Sequence, residues 1–256
     1  MEELNDVLGY NLKIYQRRDW FCFSLDSVLL ANFVPIKLST KKILELGSGN
    51  GIIPLILTLR TDKVIEGVEI QKDLFDLAEK SIKYNKLEDR IKLRNVDIKE
   101  LLKEKDIYNT YDLIICNPPY FSDLDKSTKN DDIHKTIARH EIKINLEDIL
   151  KVSSRLLNNG GVFSMINRTS RLIEIIDMFK KYNIEPKKIR FIHKNINTES
   201  TMVYIEGIKN GNSSLTIDSP FIVYNLDKTE TDDYKKICKE VLKWFKRVII
   251  KKLHYI

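Results

Sequence analysis

The sequence predicts an α/β fold: a doubly wound, mostly parallel seven-stranded sheet closed by an antiparallel hairpin, with helices on both faces. Three observations lead there. Short apolar runs alternate with helical-period segments from residue 42 onward, and repeated βα units build parallel sheets covered on both sides. A glycine-rich loop, Gly47-Ser48-Gly49-Asn50-Gly51, follows the first of those runs and opens a helix. Finally, Asn117-Pro118-Pro119-Tyr120 directly follows the apolar run Tyr111-Asp112-Leu113-Ile114-Ile115-Cys116. Two prolines cannot extend a central strand, because each lacks an N–H and fixes φ.

Taken in order, the segment before the first core strand reads as a hairpin or loop over residues 12–23. It runs into a helix from about Ser24, whose apolar face is carried by Asp26-Ser27-Val28-Leu29-Leu30-Ala31. Residues 42–46 form the first core strand, and the glycine loop leads into a helix to about Arg60. Residues 64–70 are a second strand. Residues 74–85 are a helix with Leu74, Leu77, Ala78 and Ile82 on one face. Residues 91–96 make a third strand, 101–105 a helical turn, and 111–116 the fourth strand. Residues 126–134 are polar, the composition of a loop over the proline shelf. A helix over 146–157 is closed by Asn158-Asn159-Gly160-Gly161, a helix-stop and turn signal. Residues 162–167 give a fifth strand and 170–182 a helix. Residues 188–193 and 201–208 follow as sixth and seventh strands. The connection between those last two is too short for a helical crossover, so they should pair antiparallel.

Composition excludes several classes. With 43% hydrophobic and 31% charged residues the chain is an ordinary globular sequence. No apolar run reaches the roughly 20 residues that span a bilayer, and the acidic, polar start is not a signal peptide. Cys22, Cys116 and Cys238 lie far apart without metal-ligand spacing, so no metal site and no disulfide framework is expected, and the cytoplasm is the natural setting.

The glycine loop departs from the dinucleotide fingerprint. Counted from Gly47, the sixth position is Ile52 and Gly51 is the fifth, which favours a ligand without a pyrophosphate. Glu69 closes the second strand, where a carboxylate can accept both ribose hydroxyls. Asp97 closes the third, where it can accept from an adenine amine, with Ile70 and Ile98 placed to sandwich the ring. Each acid alone is more often a solvating strand-end charge; successive strand ends bearing suitable groups make the stronger case. The shelf offers a planar amino group two acceptors, the Asn117 side-chain oxygen and the Pro118 carbonyl, held rigid by Pro119, with Tyr120 as a stacking face. Cys116 reads as a small apolar residue on a buried strand.

Together these residues resemble the class I S-adenosylmethionine-dependent methyltransferases, whose fold is Rossmann-like, and the shelf resembles their amino-methylating branch. Gly51-Ile52-Ile53-Pro54-Leu55, Gly67-Val68-Glu69-Ile70-Gln71, Asn117-Pro118-Pro119-Tyr120-Phe121 and Ala138-Arg139-His140-Glu141, with the Asp26–Ala31 string, narrow the resemblance. They look like the tRNA adenine-N6 methyltransferases that act on adenine 37 of a valine tRNA. The resemblance spans about residues 11–225. It implies S-adenosylmethionine as cofactor, tRNA as partner, and Ser24, Asp26 and Ser27 beside the methionine end of the cofactor. It also implies cofactor contacts from Glu45, Gly47, Gly49, Gly51, Glu69, Ile70, Asp97, Ile98 and Asn117. An N-cap role for Ser24, Asp26 and Ser27 is compatible with that placement. Phe121, Arg139 and His140 are candidates for substrate contact, although a lone His is as often packed or solvated. Similar shelves serve enzymes that methylate guanine N2 in ribosomal RNA, DNA bases, or a protein glutamine, and the motifs leave those alternatives open.

On this division residues 1–40 pack on the catalytic domain and cover its cofactor, and 41–226 are the catalytic domain. Residues 232–256 form a basic amphipathic helix beyond the resemblance. At about 100° per residue, Tyr234, Ile237, Val241, Trp244, Phe245 and Val248 share one face, and Lys236, Lys239, Lys243, Lys246 and Arg247 the opposite one. The basic stripe suits phosphate binding; in a lysine-rich chain it is equally a solvated face.

Overall fold

A computed structural model describes residues 2–7, 10–17, 24–118 and 145–237. Strands β1 (Glu2–Asp6) and β2 (Lys13–Arg17) form an antiparallel hairpin of their own. Helix α1 (Leu25–Phe33) follows, then β3 (Ile43–Leu46), α2 (Ile52–Leu57), β4 (Ile65–Val68), α3 (Lys72–Tyr84) and β5 (Ile91–Arg94). Two short 3-10 turns, Ile98–Lys103 and Lys105–Ile107, precede β6 (Tyr111–Cys116). Beyond residue 144 come α4 (Leu146–Leu156), β7 (Leu157–Arg168), α5 (Leu172–Lys181), β8 (Ile184–His193) and β9 (Ser200–Lys209). The two-residue strands β10 (Thr216–Ile217) and β11 (Phe221–Ile222) complete the order.

The main sheet runs β10-β8-β9-β7-β6-β3-β4-β5, with β11 also on β8. Pairings from β7 through β5 are parallel, and β9 is antiparallel to both β7 and β8. The expected mostly parallel sheet and terminal hairpin are present, with β10 and β11 extending the seven expected strands to nine.

Both faces of the sheet are covered, as the near-continuous apolar strands require. Successive residues point to opposite sides. Thus Ile43, Leu113, Ile115 and Val162 join α1, α2 and the amino-terminal hairpin in one core, whereas Leu44, Ile114, Cys116 and Phe163 join α4 and α5 in the other. This two-sided burial leaves the strand ends as the place for polar chemistry.

Several boundaries differ from expectation. Asn158-Asn159-Gly160-Gly161 lies inside β7, which starts at Leu157. The ladder slips there, with Tyr111 opposite Leu157 and Leu113 opposite Val162. Gly160 sits at φ +79°, so the turn signal is used as a bulge rather than a loop. The helical turn expected at 101–105 is instead 3-10 geometry beginning at Ile98. β4 and β5 are shorter than expected, so Glu69 lies just past its strand and Asp97 three residues past Arg94. β8 starts at Ile184, earlier than expected, because Asn183 at φ +56° turns the chain out of α5. Its Pro186 sits at a register shift, where a missing N–H does least harm. Ser24 occupies the N-cap position of α1, yet its side chain makes no cap bond.

Gly51 starts α2 at φ +84°, and a Cβ there would lie 3.1 Å from the Ala78 Cβ. Gly51→Ala combines left-handed strain with crowding against α3, and should destabilise the fold by about 1–3 kcal/mol. Urea unfolding checks this; an unchanged midpoint would mean the loop relaxes freely.

Candidate functional site

Three strand ends meet beside the glycine loop. β3 lies between β4 and β6, so Glu69, the loop at 47–51 and Asn117 follow adjacent strands. Gly47 and Ser48 donate their backbone N–H groups to the Val68 carbonyl, each at 2.9 Å. The Glu69 carboxylate accepts from Gly49 N on one oxygen and Gln71 N on the other, both at 2.8 Å. It thereby ties the loop after β3 to the start of α3. Glu69 is buried, and burial raises its pKa against the opposing help of those backbone N–H groups.

Beneath the loop lies a second buried carboxylate. Glu45 is 1% exposed, and burial is the main cause that lifts its pKa to about 8. The nearby Ser48 hydroxyl pulls the other way, and the Glu69 charge adds to the rise. Glu45 Oε2, Ser48 Oγ and Asn50 Nδ2 are all buried and make no hydrogen bond of ordinary geometry. Buried polar atoms without partners cost about 1–3 kcal/mol each. Glu45 and Ser48 lie near each other, and with Asn50 from the same loop they present polar groups that a ligand could satisfy. Glu45 was named from the sequence; Asn50 and Ser48 were not, since nothing in a Gly-Asn-Gly string says that the amide will be buried.

At the end of β6 the Asn117 side chain turns toward α1. Its Nδ2 donates to Ser27 Oγ at 2.8 Å and to Asp26 Oδ2 at 3.3 Å. Ser24 Oγ donates to the other Asp26 oxygen. Asp26 and Ser27 are each 3% exposed. The structure therefore joins Ser24, Asp26, Ser27 and Asn117, which are about 90 residues apart in sequence. Burial and the Glu45 and Glu69 charges push the Cys116 thiol well up, so it stays neutral.

The remaining expected positions are less gathered. Asp97 caps the 3-10 turn by accepting from Lys99 N at 2.9 Å, and it pairs with Lys99 Nζ at 3.6 Å. Ile98 is buried in the core with Leu101, while Ile70 is only half-buried. Asn95, not foreseen, braces the Glu69 strand end by donating to the carbonyls of Glu69 and Ile70 at 2.7 and 3.1 Å. Pro119, Tyr120, Phe121, Arg139, His140, Lys239, Lys243, Lys246 and Arg247 lie outside the described residues, as does the loop expected at 126–134. Lys236 is described and pairs with Asp233 at 3.5 Å. Among the described residues there is no cluster able to hold a metal ion, and no helix is long and apolar enough to cross a membrane.

Solved structures share the fold. The crystal structure of a predicted O-methyltransferase, protein Atu636 from Agrobacterium tumefaciens, superposes with a TM-score of 0.68 at 20% identity. It covers 84% of this chain and 95% of its own. TYW2 of P. horikoshii in complex with MeSAdo gives 0.55 at 14% identity, covering 82% and 72%. The methyltransferase small domain model matches residues 23–192, and the chain belongs to that family. Among proteins of similar sequence, a tRNA1(Val) (adenine(37)-N6)-methyltransferase of Flavobacterium johnsoniae is 26% identical over 217 residues. The match spans 84% of this chain and 89% of that protein. Another of the same name, from Trichodesmium erythraeum, is 32% identical over 145 residues, 55% of this chain and 58% of that protein.

The elevated Glu45 pKa has a consequence for stability. The folded value, about 8, lies above the ordinary 4.5, so between those values the folded protein holds a proton that the unfolded chain releases. Its effect on stability is nil below that window and grows to a loss on the order of a few kcal/mol as pH rises through it. Glu45→Gln should therefore flatten the decline of melting temperature between about pH 5 and 8 relative to wild type. Parallel pH profiles for the two proteins would place the loss elsewhere.

Proposed function

We propose that this chain transfers a methyl group from S-adenosylmethionine to N6 of an adenine in tRNA, and that the target is adenine 37 of a valine tRNA, in the cytoplasm. The observation that carries this is the convergence of Asn117 and Pro118 with the glycine loop and Glu69 at neighbouring strand ends, in a chain whose relatives bear that name.

The residues present fit the cofactor. Glu45, Ser48 and Asn50 hold buried, unpartnered polar atoms of both kinds, which suits the ammonium and carboxylate of an amino-acid end. Glu69 has lone pairs beyond its two backbone bonds for ribose hydroxyls. Gly47, Gly49 and Gly51 keep the loop free of side chains, and Ile70, Asp97 and Ile98 border the position for the adenine. When bound, the cofactor supplies an electrophilic methyl carbon on a sulfonium.

The chain's own residues act on the amine. An adenine amine is a poor nucleophile, because its lone pair is conjugated into the ring. Asn117 Oδ1 and the Pro118 carbonyl accept its two hydrogens and favour the pyramidal nitrogen that forms as attack begins. Pro119 stiffens the shelf, and Tyr120 stacks on the base with support from Phe121. Most of the acceleration comes from positioning. No strong base is needed, as the product ammonium can lose its proton to solvent. Arg139 and His140 lie close to the shelf in sequence and are assigned to RNA contact. A base held in a stack cannot reach the shelf, so the substrate adenine is unpaired or flipped out.

Asn117→Ala should cut the rate by about 100-fold to 1000-fold with cofactor affinity within a few fold. Glu69→Ala should do the reverse, weakening cofactor binding with little effect at saturation. Methyl transfer from labelled cofactor to total tRNA, together with calorimetry, tests both. Transfer to DNA or ribosomal subunits instead would reassign the substrate.

Residues 1–40 pack on the catalytic domain, 41–226, and cover the cofactor; the basic stripe of 232–256 binds tRNA phosphates. Replacing Lys236, Lys239, Lys243, Lys246 and Arg247 with Gln should weaken tRNA binding, spare cofactor binding and flatten the salt dependence by about one unit of slope per lost contact. Wild-type tRNA affinity across salt in a folded variant would leave that helix a packing element.

A further inference from the structure

We propose that Asp26 is a positioning residue, whose carboxylate holds the Asn117 nitrogen and so commits Oδ1 to the incoming amine. The inference rests on the amine-methylating reading above. An asparagine amide has two edges of nearly equal size, one accepting and one donating. Only the oxygen edge can receive an amine hydrogen. Asn117 follows the last residue of β6, so the sheet ladder does not choose between the edges.

Ser27 Oγ, at 2.8 Å from Asn117 Nδ2, does not choose either, because a hydroxyl can accept or donate. Asp26 Oδ2, at 3.3 Å, does choose, because a carboxylate only accepts. With the amide reversed, two oxygens would face each other in a partly buried place. Ser24 completes the device. It stands at the N-cap position with extended backbone, but its hydroxyl goes to the second Asp26 oxygen rather than to a helix N–H. Asp26 is thus held from behind, and the first turn of α1 favours its negative charge. A role for Asp26 as a direct cofactor ligand predicts something different, namely lost cofactor affinity.

The two roles separate in the full-length protein carrying Asp26→Asn, which is isosteric but can present either edge to Asn117. At saturating cofactor and tRNA the rate should fall about tenfold or more, as for loss of one fixed acceptor. Cofactor affinity by calorimetry should stay within about threefold. Ser27→Ala should cost less than Asp26→Asn. A rate within about twofold of wild type, or affinity falling in step with an unchanged saturated rate, would overturn the proposal. Nitrogen-15 spectra of the asparagine side chains give a second readout without any substrate. In the wild type the Asn117 amide protons should show contacts with Ser27, and Asp26→Asn should weaken them or split them between two states. An unaltered Asn117 signal in that variant would also overturn the proposal. If the wild type methylates no RNA adenine, the functional reading fails, while the spectra still decide what fixes the amide.

Discussion

The Glu69 carboxylate is the interaction on which the rest of the site depends. One oxygen receives Gly49 N and the other Gln71 N, so a single side chain closes the loop after β3 against the end of β4. Hydrogen bonds to a charged acceptor are worth roughly twice neutral ones. The clasp adds to the bonds from Gly47 N and Ser48 N to the Val68 carbonyl and from Gly51 N to the Ser48 carbonyl. Together they hold Gly47, Gly49 and Gly51 at positive φ, where glycine has most freedom to lose on ordering. Glu45, on the fully buried strand β3 that leads into the same loop, lies out of water beside it.

Two carboxylates kept out of water, one of them with an unpartnered oxygen, together with the unpartnered Ser48 hydroxyl and Asn50 amide, form a costly arrangement for a fold to carry. Elsewhere the described core is conventional, with apolar residues alternating between two packed faces. Of the buried side-chain atoms without a partner among the described residues, Glu45 Oε2, Ser48 Oγ and Asn50 Nδ2 belong to β3 and the loop after it, where a polar ligand would relieve them, while Arg90 Nε, Ser153 Oγ and Asn167 Nδ2 are scattered. Sites of function often hold such stored cost.

Much of this was legible in the sequence, and the reason differs by residue. The strand and helix order follows from apolar periodicity, and the antiparallel β8–β9 pair from the shortness of its connection. Glu69 and Asn117 could be named because a charge or a proline marks the end of an apolar run. What stayed hidden depended on contacts between distant segments. Asn158-Asn159-Gly160-Gly161 has turn chemistry, yet β6 pairs with Leu157 before it and Val162 after it, so the strand continues past it as a bulge. Ser24 looks like a helix cap, and only the fold shows that Asp26 takes its hydroxyl. Asn50 and Asn95 carry no sequence signal, because their roles are set by what happens to enclose them.

The meeting of α1 with Asn117 must hold to a fraction of an ångström to orient an amide, and the fold supplies the means. Arg60, just beyond α2, donates to the carbonyls of Ala31 and Val34 at the carboxyl end of α1, the latter at 3.0 Å. A cation there favours the helix dipole by about 0.3–2 kcal/mol, although burial lowers the Arg60 pKa. α2 begins at the glycine loop and ends near Arg60, so one short rigid helix measures the distance from the loop to the far end of α1. The amino-terminal hairpin adds a second brace. Tyr15 N donates to Ser81 Oγ at 2.9 Å, and the Asn85 side chain bonds both the N–H and the carbonyl of Lys13. These bonds fix β2 to α3, the helix that Glu69 helps to start. The two halves of the site, α1 with Asn117 and the loop with Glu69, are therefore joined through α2 by packed elements and hydrogen bonds rather than by a linker.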